Sequence, residues 1–187
     1  VKGNPIVFIV DKSGSMGHRW SGTFSKEGKI WTRDSYVNHR LAETLRGLRT
    51  VNLPYKTQFN VIHFAATASQ VFSNVVDATP ANVEHAIRVV TSKQANGGTN
   101  AHAAFELAYK LRAGSIYFLT DGRPNNGRNN NDVSRDLLNK VKIWQGTQKI
   151  PVHCIGIFAG KNTGTHLAVP FLTELARWSG GDLTKVH

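Results

Sequence analysis

A carboxylate and two hydroxyls stand at alternate positions in the stretch Phe8–Gly17, FIVDKSGSMG, as Asp11, Ser13 and Ser15. Two further oxygen donors lie far along the chain, Thr99 in the glycine loop NGGTN and Asp121 in LTDGRPN. Such groups could serve as a catalytic acid at a strand tip, as ligands to a metal, or as ordinary turn and capping residues. Taken singly the last is at least as good: Asp11 and Ser13 can cap the following chain, Thr99 can cap a helix, and Asp121 with Gly122 and Pro124 can form a turn. Taken together they are two carboxylates and three hydroxyls with no cysteine or paired histidine beside them. Hard oxygen donors of that kind suit Mg²⁺ or Mn²⁺, or Ca²⁺, better than Zn²⁺.

That chemistry needs all five on one edge, which depends on the elements that carry them. Continuous apolar runs predict buried strands at Ile6–Val10, Phe59–Phe64, Ser115–Leu119 and Val152–Phe158, with shorter ones at Ala68–Phe72 and Asp182–Val186. Between them, apolar residues recur at helical spacing. Val37, Leu41, Leu45 and Leu48 form one stripe; Val83, Ala86, Ile87 and Val90 a second; Ala104, Leu107, Ala108 and Leu111 a third. Val133 to Trp144 and Leu172 to Ala176 mark two more, and Thr79 before Pro80 predicts a capped start for the second helix. Alternating strands and helices define an α/β fold with a doubly wound, mostly parallel sheet of about six strands, helices on both faces and one antiparallel edge hairpin. Ligands in such sheets bind outside the carboxyl ends of the strands, where Asp11 and Asp121 fall. If the first and fourth strands are neighbours, all five side chains can face one point.

Those residues carry a resemblance. DxSxS at Asp11–Ser15, a threonine in a glycine loop at Thr99 and an aspartate after a central strand at Asp121 resemble the metal-ion-dependent adhesion site of von Willebrand factor type A domains. ELARWSGGDLTKV is similar to the family's last helix and edge strand, so the resemblance covers nearly the whole chain. It implies that Ser13, Ser15 and Thr99 touch a divalent cation directly while Asp11 and Asp121 hold it mainly through water. It implies further that a carboxylate from a protein partner, an Asp or Glu, completes the coordination, and that Lys12 points away. An enzyme of the haloacid dehalogenase type would need a second acid two residues after Asp11. That position is Ser13, so no catalysis is expected.

The first helix starts late for this family, leaving Gly17–Arg33, GHRWSGTFSKEGKIWTR, as an insertion beside the site well beyond the usual ~2 to 6 residues of a connection. It reads as a hairpin flap turning at Glu27 and Gly28, in which aromatic rings alternate with cations. Arg19, Trp20, Lys26, Lys29, Trp31 and Arg33, with Arg123 after Asp121, are candidates for a partner-binding rim. Packing of Trp20 and Phe24 onto the domain is the plainer reading of those two rings.

The formal charge of +11 favours an anionic partner. It keeps two other functions in view: binding of nucleic acid or another anionic polymer, and a regulatory scaffold in an intracellular assembly built around an ATPase. The hydrophobic content of 40% suits one globular domain over residues 1–187, and no apolar run approaches the ~20 residues of a membrane span. A start at Val1, without Met or a leader, suggests a domain cut from a longer protein and a monomer when isolated. Cys154 has no partner for an internal disulfide. The compartment stays open, with a secreted or cell-surface setting favoured over the cytoplasm.

Overall fold

The computed structural model describes residues 4–19, 31–48, 56–125, 130–158 and 165–187. The first buried run forms β1 (Ile6–Asp11), and a short 3-10 turn at Gly14–Gly17 follows it. The chain continues as α1 (Arg33–Gly47), β2 (Gln58–Phe64), β3 (Ala68–Gln70), β4 (Val76–Asp77), α2 (Pro80–Thr91) and α3 (Ala101–Lys110). It ends through β5 (Ser115–Thr120), α4 (Asn130–Thr147), β6 (Val152–Ile157), α5 (Thr165–Ser179) and β7 (Leu183–Val186). The sheet runs β3-β2-β1-β5-β6-β7, with β4 pairing on β2. β2, β1, β5, β6 and β7 are parallel, and only β3 and β4 are antiparallel to their neighbour.

The two-residue β4 is the seventh strand, too short to leave any alternation in the sequence. The antiparallel strand expected at Ala68–Phe72 stops at Gln70. Beyond it the Asn60 side chain takes over, donating to the Phe72 and Asn74 carbonyls and accepting from Phe72 N–H.

Period-two alternation along the central strands divides the core. Val7 and Ile9, Ile62 and Phe64, Ile116 and Phe118, and Val152 and Cys154 face α3, α4 and α5. Phe8 and Val10, Phe59 and Val61, and Leu119 and Ile157 face α1 and α2. Each helix contributes the stripe its spacing predicts, for example Val83, Ala86 and Val90 from α2. Thr79 caps α2 by accepting from Asn82 N–H, with Pro80 at its first position. Gly180 ends α5 in the left-handed region, at φ +79°, where a Cβ would be strained.

Registration of the two central strands is what positions the site. β1 and β5 pair from Ile6 with Ser115 to Val10 with Leu119, so Asp11 lies level with Thr120 and one residue from Asp121. The carboxyl ends of both strands therefore open on the same edge.

Candidate metal centre

Asp11, Ser13, Thr99 and Asp121 are all buried, and Ser15 is half-buried. At β1 the turn folds back at once: Asp11 Oδ1 accepts from Ser13 N–H at 2.8 Å, and Met16, wholly buried among the α1-side core residues, pins the turn from below. Ser13 Oγ and Ser15 Oγ are 3.2 Å apart, and Ser15 Oγ donates to Asp121 Oδ1 at 2.8 Å. Thr120 Oγ1 donates to Asp11 Oδ2 at 2.6 Å and accepts from Gly122 N–H. The two strand ends are thus laced together through the oxygens at issue.

Thr99 reaches this edge on a loop tied at several points. Asn96 N–H donates to the Lys12 carbonyl at 2.8 Å and Gly14 N–H to the Gly97 carbonyl at 3.0 Å. Gly97 makes the turn at φ +79°, a conformation that favours glycine. Thr99 and Asn125 then exchange both backbone hydrogen bonds at 3.1 Å, and Asn100 N–H donates to the Ala65 carbonyl at 2.7 Å. The Thr99 loop is fixed to both aspartate-bearing loops, and all five candidate donors share one edge.

Lys12, lying between the candidate donors in sequence, is buried and turned away from them, its ammonium donating to Asp34 Oδ1 at 2.6 Å and Asn38 Oδ1 at 2.7 Å. Burial pulls that ammonium below its ordinary pKa, and Asp34 opposes the pull.

The rim residues divide. Arg19 is exposed and forms an antiparallel bridge with Thr32, which closes the base of the insertion. Trp31 is half-buried, packs against the α1-side core and meets His39 edge-on at 5.4 Å, so its ring is held against the domain. Arg123 is half-buried. Trp20, Lys26 and Lys29, with the Glu27–Gly28 turn, lie outside the described residues. Arg33 departs from expectation: it is 4% exposed and donates through Nη1 to Asp121 Oδ2 at 2.5 Å and to the Ser15 carbonyl at 3.3 Å. It is no rim residue, because it opens α1 directly against Asp121 and the Ser15 turn. The Thr32–Ser35 capping box and Arg33 N–H on the His18 carbonyl seat the first turn of the helix there.

Two residues of this site escaped the sequence reading. Thr120 lies just beyond the strand expected at Ser115–Leu119, though its hydroxyl beside Asp121 in LTDG is a signal. Asp34 pairs with Lys12 across 22 positions, and nothing local announces that.

The donor set fits a hard divalent cation. Among the described residues no three His, Cys, Asp or Glu side chains gather as metal ligands, so a cation here needs the hydroxyls as well as the two carboxylates. Burial, and then the nearby Asp121 carboxylate, raise the Asp11 pKa to about 6, against hydrogen bonds from Ser13 and Thr120 that lower it. Without a cation, ionised Asp11 is costly. Since its folded pKa lies above the unfolded 3.8, the folded state binds the extra proton. This stability is fully present below the unfolded value and is lost as pH rises through about 6. Chemical unfolding in EDTA should show the wild type losing about 1 kcal/mol more than Asp11→Asn between pH 5 and 7.5. Parallel pH profiles for the two proteins would rule out the strained carboxylate.

Fold and site define a class: an open, doubly wound α/β domain with a polar, oxygen-rich cluster at the carboxyl edge of its central strands. The family model for the von Willebrand factor type A domain matches residues 37–184, and the chain belongs to that family. The mouse protein named inter alpha-trypsin inhibitor, heavy chain 4, is 28% identical over 97% of this chain, which spans 18% of that relative's length. Among solved structures, the PilB minor pilin of Streptococcus sanguinis superposes with a TM-score of 0.72 at 17% identity, over 100% of this chain and 58% of the pilin. Proximal thread matrix protein 1 of the mussel byssus, solved with a zinc-occupied motif of the adhesion-site type, shares the fold at a TM-score of 0.51 and 15% identity, over 100% of this chain and 44% of that one.

Proposed function

We propose that this domain is a divalent-cation-dependent protein-binding module whose partner presents an Asp or Glu. The observation that carries the reading is the convergence of Asp11, Ser13, Ser15, Thr99 and Asp121, from three separate segments, on one strand edge. Ser13, Ser15 and Thr99 would hold Mg²⁺ or Mn²⁺ directly, and Asp11 and Asp121 would hold it mainly through water. A bound cation supplies a concentrated positive charge to which a partner carboxylate can bind. The zinc-occupied motif of the mussel protein supports a cation at this place in the fold. The chain's own residues fix the donors, exclude bulk water from the two carboxylates and keep Lys12 occupied with Asp34.

The module performs no catalysis on this reading, since Ser13 occupies the place of the acid that a phosphatase of this sheet type requires. Among the described residues no helix is long and apolar enough to cross a membrane, and a secreted or cell-surface setting is part of the reading.

Immobilised domain incubated with native lysate and with extracellular extract, in Mg²⁺ or EDTA at low and moderate salt, tests it. Partners retained through moderate salt and released by EDTA are expected. Partners released by salt and indifferent to EDTA would overturn the reading and assign the function to the basic surface, because phosphate-backbone binding falls steeply with salt.

A further inference from the structure

We infer that Arg33 is a built-in cation of the metal site, which holds down its affinity for the divalent ion and makes ion uptake depend on an anionic ligand. This inference rests on the cation-dependent reading above. Its basis is the Arg33–Asp121 pair, in which both side chains are almost wholly buried and the guanidinium sits on Oδ2 while Ser15 Oγ donates to Oδ1. Both carboxylate oxygens of Asp121 are thereby engaged within the candidate donor cluster.

The charge count gives the consequence. Among the described groups joined at the site, Asp11 and Asp121 contribute two negative charges, Arg33 contributes one positive charge, and Lys12 is matched by Asp34. A divalent ion added to this set leaves a surplus of one positive charge in a buried place. That surplus disfavours the ion alone, and a single carboxylate from a partner cancels it. Without Arg33 the ion would neutralise the two aspartates by itself, and a partner carboxylate would bring uncompensated negative charge. Arg33 thus couples ion and anionic ligand, each strengthening the other by the same factor.

The placement of Arg33 is costly in local terms. It occupies the first position of α1, where the helix dipole disfavours a cation. It is held there by the Arg19–Thr32 bridge and the His18–Arg33 backbone hydrogen bond. A local rule is broken here and the compensation comes from Asp121, so the placement of Arg33 is explained by the site and not by the helix.

Calorimetric titration with Mn²⁺, in chloride and in acetate at equal ionic strength, tests the inference on the wild type, Arg33→Gln and Arg33→Lys. All three are first checked for a native circular dichroism spectrum and a cooperative melt. Arg33→Gln should bind Mn²⁺ about tenfold more tightly in chloride, since a fixed like charge has gone. Acetate should raise the affinity of the wild type more than that of Arg33→Gln. Arg33→Lys, which keeps the charge, should stay near wild type and guards against a purely structural effect of the glutamine. Equal Mn²⁺ affinity in all three proteins would overturn the role of Arg33 and leave the cation site standing. Absence of Mn²⁺ binding in every folded protein would overturn both.

Discussion

Asp121→Ala in EDTA should lower stability by about 3 kcal/mol, which for a domain of this size is a fall in Tm of about 10 °C. The cause is Arg33 rather than any lost cation. Asp121 and Arg33 are 3% and 4% exposed, and the substitution takes from a buried guanidinium the carboxylate it is paired with. It also removes the acceptor of Ser15 Oγ, so the turn after β1 loosens with it. Removing one member of a buried pair is far costlier than removing both, since the expense lies in the orphaned charge. The double variant Asp121→Ala with Arg33→Met should therefore recover more than half of the loss. A wild-type melt for Asp121→Ala, or simple additivity of the two substitutions, would show that the pair contributes nothing to the metal-free fold.

Thr99→Ala should behave oppositely, with stability changed by no more than about 1 kcal/mol and cation-dependent partner binding weakened on the order of 100-fold. The loop that carries Thr99 is held by backbone hydrogen bonds to Asn125, Lys12 and Gly14, and the substitution touches none of them. What is lost is one hydroxyl from a loop held at the shared edge. Thr99→Ser retains that hydroxyl and should restore most of the binding, which separates a ligand role from a packing role for the methyl group. Full binding by Thr99→Ala, measured in Mg²⁺ by surface plasmon resonance against a captured partner, would remove Thr99 from the donor set.

Together these variants separate two tasks carried by adjacent groups. Asp121 serves both the metal-free fold, through Arg33, and the proposed cation. Thr99 serves only the latter. The expected difference arises because Thr99→Ala removes a neutral hydroxyl and leaves no charge behind, whereas Asp121→Ala takes the carboxylate from a buried guanidinium.

The sequence by itself determined the alternation of elements and the position of four of the five candidate donors at loop starts. Apolar runs such as IVFIV and SIYFL can be buried only as central strands, and stripes such as Val83, Ala86 and Val90 have one helical face to bury. It likewise marked Asp11 and Asp121 as strand-end carboxylates, since a charge directly after a buried run must come out at the sheet edge. Local pattern said nothing of which strands are neighbours. That β1 lies against β5, bringing Thr120 onto Asp11 and Ser15 onto Asp121, follows from packing both sheet faces at once and was settled only in three dimensions. The same holds for the cations. In sequence Arg33 belongs to a candidate rim and Lys12 is expected only to point away from the donors, and most arginines and lysines are exposed. Tertiary structure buried both, each against a carboxylate distant in the chain, Asp121 for Arg33 and Asp34 for Lys12. A buried charge is tolerable only beside its partner, and no pattern of spacing along one segment can say which distant carboxylate the fold will bring to it.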